Sequence, residues 1–281
     1  MICIIFELDI KCYNHSMIYI IFIVFILLIL VLAFYQWQYF MVFSPIHYRD
    51  EDLSEEFEIL SVTTDDGVEL EGVVYEPKDL YRKLPTINST LLFFGGRSHD
   101  TVGLIKRLSL KYPHVRIITF NYRSYGKSDG KINEKNILND GLKIARLVQK
   151  NYGDFYILGF SIGSSVASYV ASKTDTLGVF LVGSFDSIAL LAREKYGKRL
   201  SWLLRYRFDN TQYVKEINAK TYIFAGTDDE TTYIKNARNL KQYVKNLALY
   251  KELDNVTHKE LLWDDEVVSE IHKVIYGEVL S

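Results

Sequence analysis

Phe155-Tyr156-Ile157-Leu158-Gly159-Phe160-Ser161-Ile162-Gly163-Ser164-Ser165-Val166-Ala167-Ser168-Tyr169-Val170-Ala171 is the stretch on which the reading of this chain turns. An apolar run of strand character enters Gly159-Phe160-Ser161-Ile162-Gly163, and a run of small residues with helical character leaves it. Strand, tight turn and helix with a serine at the tip force that serine into a strained backbone and push its hydroxyl out of the sheet. The flanking glycines leave the strand and the helix room to approach each other. A Gly-x-Ser-x-Gly pattern alone is weak, so its context has to carry the argument.

Outward from this turn, strands and helices alternate. Strands are expected at 90–94, 115–120, 155–158, 178–182, 220–225 and 247–253. Helices are expected at about 101–111, at 133–150, after Ser161, at 231–245 and at 264–276. In the 133–150 helix, Ile137, Leu138, Leu142, Ala145 and Val148 share one face. Upstream, 57–63 and 68–75 alternate around Asp66-Gly67, which signals a hairpin. Continuous apolar strands separated by helices predict a mostly parallel sheet covered on both faces, led in by an antiparallel hairpin.

The bulk numbers bound the rest. At 281 residues the chain holds one large α/β domain or two small ones. A net charge of −2 gives no reason to expect nucleic acid as a partner. Its two cysteines, Cys3 and Cys12, precede the apolar segment, so the body has no disulfide framework and no cysteine-rich metal site.

From Ile18 to Phe34 every residue except Tyr19 is apolar, and Tyr35, Trp37, Tyr39, Phe40 and Phe43 follow, interleaved with Gln36 and Gln38. A bilayer core takes roughly 20 apolar residues of helix, and an aromatic fringe marks its interface. Bulky Phe34, Tyr35 and Trp37 provide no small-residue cleavage site, so we read an uncleaved anchor over about 18–40, within an amino-terminal segment 1–43 that would contact membrane lipid. Met17 at the edge of the run is an alternative start. Lys11 before the span and Arg49 after it leave the charge count level. The short flank and large body resemble a signal anchor, which sends the body outside the cytoplasm. Residues 44–56, with Pro45 and an acidic cluster, read as a polar linker, and 57–281 as the catalytic domain. On that reading a chain starting near Pro45 is soluble and active.

A serine that transfers an acyl group needs a base, an acid to orient the base, and backbone donors for the developing oxyanion. Asp228 and Asp229 follow the strand ending at Ala225, and both stand open as the acid, although either also suits the cap of the next helix. Of the six histidines, His258 directly follows the last strand, whereas His272 falls inside a helix. Backbone donors are expected from Ile162, the residue after the serine, and from the loop Phe94-Gly95-Gly96-Arg97-Ser98-His99, whose glycines allow close approach.

Taken together, these motifs resemble the α/β-hydrolase superfamily, most of all the membrane-anchored serine hydrolases of the α/β-hydrolase-domain-containing type. Asn121-Tyr122-Arg123-Ser124-Tyr125-Gly126-Lys127-Ser128-Asp129-Gly130 is similar to the family's loop after the fourth strand. Gly159–Gly163 resembles its nucleophile elbow, and Arg207-Phe208-Asp209 a short motif before the acid strand. The resemblance covers about residues 55–276. It implies a mostly parallel eight-stranded sheet with helices on both faces and a short lid insertion. It implies Ser161 as nucleophile, His258 as general base and acid, and Asp229 as the orienting acid, since the family's acid stands three residues after a glycine, here Gly226. The oxyanion donors would be the amides of Arg97 and Ile162.

Gly95-Gly96 stands where the family often has His-Gly, and Arg97 where a small or amide residue is common. The implied activity is hydrolysis of an ester or thioester of an acyl or lipid-like small molecule, without metal or cofactor. A peptidase or amidase on the same fold, and a non-catalytic binding protein at the membrane, stay open as alternatives. The lid, 184–219, should cover Ser161. It mixes Leu190, Leu191, Leu200, Trp202, Leu203, Leu204 and Phe208 with Arg193, Lys195, Lys198, Arg199, Arg205 and Arg207, suiting either lipid and anionic substrate or a short packed helix with a solvated basic face.

Overall fold

The computed structural model describes residues 2–47, 57–77, 89–197 and 203–277, with residues 2–16 described by backbone alone. The chain divides into two compact units, Met1–Val42 and Phe43–Ser281. Most of the expected linker, with its acidic cluster, and the lid residues Lys198, Arg199, Leu200 and Trp202 lie outside the described residues.

The first unit is one helix, α1 (Ile2–Val42). Its stretch Met17–Val42, 26 residues without a charged side chain, is long and apolar enough to cross a bilayer. At 1.5 Å per residue it reaches about 39 Å, against a hydrocarbon core of about 30 Å. Amino-terminal signal sequences share this apolar character.

In the second unit the strands are β1 (Phe57–Thr63), β2 (Glu69–Tyr75), β3 (Thr90–Phe94), β4 (Arg116–Phe120), β5 (Phe155–Phe160), β6 (Gly178–Val182), β7 (Thr221–Gly226) and β8 (Leu247–Leu253). They form one sheet of eight strands in the order β1-β2-β4-β3-β5-β6-β7-β8. β1 and β2 pair as the expected hairpin, Phe57 opposite Tyr75, and β2 alone runs against the rest. From β4 to β8 every pairing is parallel. The central strands are buried except at half-buried Tyr156, which is why they are apolar on both faces and do not alternate.

Helices cover the two faces. Leu91, Phe93, Leu158, Phe160, Phe180 and Phe224 pack with α2 (Ile105–Lys111) and α9 (Asp265–Tyr276), which contribute Ile105, Leu108, Val267, Ile271 and Ile275. On the other face, α3 (Glu134–Tyr152) and α4 (Ile162–Ala171) lie side by side. Asn133 caps α3 by accepting from the Asn136 amide at 2.9 Å. Ile137, Leu138, Ala145 and Val148 of α3 are buried; Leu142 is half-buried, and Ile144 takes the core position.

The helix expected at 101–111 begins only at Ile105. Its first residues are held in turns, because Asn121 Oδ1 takes the Thr101 amide at 2.7 Å and Asp100 Oδ1 the Gly103 amide at 3.1 Å. Likewise the helix expected at 231–245 shortens to α7 (Ile234–Leu240) and a 3₁₀ turn, Lys241–Tyr243. The amides of Thr231 and Thr232 go instead to Asp229 Oδ1, both at 2.8 Å. Within 184–219 the described pieces are α5 (Ile188–Tyr196), capped by Ser187, and the short α6 (Asn210–Tyr213). A further short helix, α8 (His258–Leu261), follows β8.

Candidate active site

In an open parallel sheet, functional groups gather where strands end at their carboxyl edge. Here the loops after β3, β5, β7 and β8 meet at one place. At the end of β5 the chain turns so sharply that Ser161 takes φ 56° and ψ −123°, a conformation costly for any residue with a side chain. The turn fits because positions 159 and 163 carry no side chain. A methyl on Gly159 would lie 2.5 Å from the Gly163 carbonyl oxygen, and one on Gly163 would lie 2.1 Å from the Phe94 carbonyl oxygen. The glycines thus let α4 lie on its own strand and let the end of β3 come up against the turn.

The loop after β8 delivers His258 as the first residue of α8. A reciprocal cap fixes that helix start: the Thr257 side chain and the Glu260 carboxylate satisfy each other's backbone amides. His258 Nε2 stands 2.9 Å from Ser161 Oγ. Its Nδ1 lies 2.7 Å from Asp229 Oδ2. Asp229, in the loop after β7, is 5% exposed, and Thr232 Oγ1 donates to the same Oδ2 at 2.6 Å. Burial pushes the Asp229 carboxyl up, but the hydrogen bond and charge of His258 and the donors of Thr232 outweigh it and hold the group below the usual carboxylate range. An ionised carboxylate only accepts, so Nδ1 carries the imidazole proton and Nε2 is left to accept from the serine hydroxyl.

Of the two acids the sequence leaves open, Asp229 therefore meets His258. Asp228 is exposed, and among the described residues it takes the Thr227 hydroxyl at 3.3 Å. Asp228 does not cap the turn that follows; Asp229 bonds those amides with one oxygen and His258 with the other. Thr232 is a polar neighbour that sequence reasoning missed. Its spacing from Asp229 is that of a side-chain-capped turn, a signal too common to single it out.

The Gly95-Gly96 loop packs on the elbow. A methyl on Gly96 would touch Ser161 Cβ at 3.4 Å. Ile162 opens α4, where the first amides of a helix have no partner within it. His99 closes the loop back on itself, its Nδ1 accepting from the Gly96 amide at 3.1 Å and its amide donating to the Gly96 carbonyl at 3.2 Å. Its ring stacks on Phe160 at 5.2 Å and 7°, and Phe160 in turn lies 4.9 Å from the His258 ring. Burial, with repulsion from His258 in its protonated form and from Arg107, pulls His99 down to about 4, so it is neutral at pH 7 and its Nδ1 is the acceptor.

The Asn121–Gly130 loop turns out to brace this loop rather than enter the cleft. Tyr122 Oη donates to the Gly95 carbonyl at 2.9 Å and Tyr125 Oη to the Arg97 carbonyl at 2.6 Å. Arg123 forks between Asp66 and Asp140, with nitrogen–oxygen distances of 2.7 Å to each, and ties the hairpin turn to α3.

A cleft of about 840 Å³ opens beside Ser161, with Arg97, His99, Arg107, Val256, Lys259 and Trp263 on its walls. The Arg107 guanidinium sits 3.8 Å above the Trp263 ring. An adjoining cavity on the other side of His258 is bordered by Glu194, Asp228 and Glu230. The lid expected over Ser161 thus contributes Glu194 to the second cavity, while the described residues lining the first come from other loops. α5 buries none of its side chains, so its basic residues face solvent. Among the described residues no three His, Cys, Asp or Glu side chains cluster to hold a metal ion.

No protein-family model matches the chain. Over 157 residues it is 27% identical to the alpha/beta hydrolase domain-containing protein aho-3 of Caenorhabditis elegans. That match takes 54% of this chain and spans 46% of the relative, less than half its length. In architecture it is similar to an esterase of Pyrococcus furiosus, with a TM-score of 0.62 at 16% identity over 84% of this chain and 97% of that one. An α/β hydrolase of Vibrio vulnificus matches with a TM-score of 0.63 at 14% identity over 78% and 81%. Solved structures this distant speak to the fold. The chain thus has the fold of the α/β hydrolases, and over about half its length it is similar in sequence to an alpha/beta hydrolase domain-containing protein.

Proposed function

We propose that this chain is a membrane-anchored serine hydrolase that cleaves an ester or thioester of an acyl or lipid-like substrate. The observation that carries this reading is the unbroken line of hydrogen bonds from Asp229 through His258 to Ser161, at 2.7 and 2.9 Å. The strained backbone of Ser161 supports it, because strain of this kind concentrates at sites of chemistry. The structural kinship with an esterase favours the ester class over the amide class. In this reading α1 is the anchor over about residues 18–40, and the unit from Phe43 onward is the catalytic body.

The chemistry follows from the groups in place. Ser161 Oγ attacks the acyl carbon while its proton passes to His258 Nε2. The imidazolium so formed is stabilised by the Asp229 carboxylate. Negative charge on the former carbonyl oxygen is met by the amides of Arg97 and Ile162. His258 then gives its proton to the departing alcohol or thiol, leaving Ser161 acylated. Water enters, His258 takes its proton, the acyl–serine bond breaks, and the free acid leaves with Ser161 restored.

A series of p-nitrophenyl esters of rising acyl length, run beside a thioester and a p-nitroanilide, tests the reading. Ester or thioester turnover that disappears in Ser161→Ala is expected, with a loss on the order of 10⁴ or more. Preferred cleavage of the anilide would make the chain an amidase. A folded wild type inert to all three would make it a binding protein.

A further inference from the structure

The proposed oxyanion donor on Arg97 belongs to a loop held from a distant part of the chain, the residues that continue directly from α1. We infer that Phe43–His47 is a strap that positions the Arg97 peptide, making the juxtamembrane segment a working part of the active site. This inference rests on the serine-hydrolase reading above and adds to it a set of positioning residues.

The strap is seated at both ends. Phe43 is 1% exposed and meets Tyr206 edge to face at 5.0 Å and Phe208 at 6.1 Å. Beyond Pro45, the Ile46 carbonyl accepts from the Gly126 amide at 2.8 Å, and His47 Nδ1 lies 2.8 Å from the Gly126 carbonyl. Between these ends the Ser44 amide donates to the Arg97 carbonyl at 3.2 Å and to Tyr125 Oη at 3.0 Å. Tyr125 Oη itself donates to the Arg97 carbonyl at 2.6 Å, closing a triangle on one oxygen. Tyr125 is fully buried and packs edge-on against Tyr122 at 5.8 Å and 89°.

Three successive peptide planes are fixed as a result. The plane of Gly95 and Gly96 is held by Tyr122 Oη and His99 Nδ1. The next carries the Arg97 N–H, and its carbonyl end is taken by the His99 amide. A peptide unit is planar and trans, so fixing the carbonyl directs the N–H the opposite way. The third plane begins at the Arg97 carbonyl and is held by Tyr125 and Ser44. Without that last anchor the middle plane is pinned on one side only. Stabilisation of an oxyanion depends on donors that are already in place when charge develops, so freedom here costs turnover more than substrate binding.

The test uses the full-length chain in detergent with p-nitrophenyl butyrate as substrate and a trifluoromethyl ketone as inhibitor, since its adduct places an oxyanion in the hole. Tyr125→Phe removes the hydroxyl and keeps the ring; Ser44→Pro removes the amide donor. Each is expected to lower kcat about tenfold, a fraction of the 10²–10³ that follows loss of a whole donor. Ketone affinity should fall in parallel, with KM within twofold. A kcat within twofold of wild type in both variants, or a loss of melting temperature or a change in KM alone, overturns the strap while leaving the serine-hydrolase reading intact. Should Tyr125→Phe lack a cooperative melt, Ser44→Pro decides. A wild type without turnover overturns both.

Discussion

Gly163→Ala puts the packing of the elbow to a quantitative test. A methyl built there lies 2.1 Å from the Phe94 carbonyl oxygen and 2.6 Å from that of Gly95, where ordinary contact begins at 3.4 Å. The obstruction is backbone, so no side chain can swing aside. Either the end of β3 with its glycine loop or the elbow with Ser161 has to move by about 1 Å. A displacement of that size at reacting groups costs roughly 10²-fold in rate. Overpacking of this kind costs about 1–3 kcal/mol, which lowers the melting temperature by very roughly 3–10 °C for a domain of this size. Gly103→Ala is the control, since its methyl would find nothing nearer than 3.4 Å. Initial rates on p-nitrophenyl butyrate, with thermal melting of the same samples, decide the matter. Gly163→Ala retaining more than half the wild-type kcat/KM would refute the claim that the loop and elbow are locked together.

Three further outcomes follow from the same geometry. Asp229→Asn should lose roughly 10²–10⁴ in turnover, whereas Asp228→Asn should lose about tenfold or less, measured on one ester; the reverse ranking would move the acid to Asp228. His99 is held at about 4 when folded against 6.5 in the free side chain. A histidine kept neutral contributes stability that is present above pH 6.5 and drains away as pH falls from 6.5 to about 4, on the order of 2 kcal/mol after allowing for its partial exposure. Urea melts of His99→Gln against wild type should show a shallower fall across that window, and equal slopes would contradict the assignment. Finally, a chain starting at Phe43 should hydrolyse a short ester about tenfold faster than one starting at Pro45, which lacks the Phe43 ring and the Ser44 amide; equal rates would return these residues to the role of a linker.

The architecture was legible because its signals are local. Unbroken apolar runs such as Leu91–Phe94 mark strands buried on both faces, and Asp66-Gly67 marks a hairpin, without knowledge of any partner. The order of Ser161, the Asp228-Asp229 pair and His258 on the ends of β5, β7 and β8 was readable for the same reason. What escaped depends on contacts between segments distant in the chain. Thr232 and Asp229 look like a capped turn until His258 arrives from a loop beyond β8. Tyr122 and Tyr125 stand in a quoted motif, yet their hydroxyls act on carbonyls of the glycine loop. Phe43 and Ser44 read as the end of an anchor and the start of a linker because nothing near them names Tyr206, Phe208 or Arg97. Helix ends were misplaced at 101 and 231 where Asn121, Asp100 and Asp229 take amides that a longer helix would have left without partners.

The most direct test of the central claim is covalent labelling of the intact full-length protein by a fluorophosphonate, followed by mass spectrometry of the adduct and its peptides. The probe reacts with a serine only when a base activates it and donors receive its oxygen. The account predicts one adduct per chain, on Ser161, absent from Ser161→Ala and slowed in Asp229→Asn. A folded wild type that takes no label, or takes it on another residue, would contradict it.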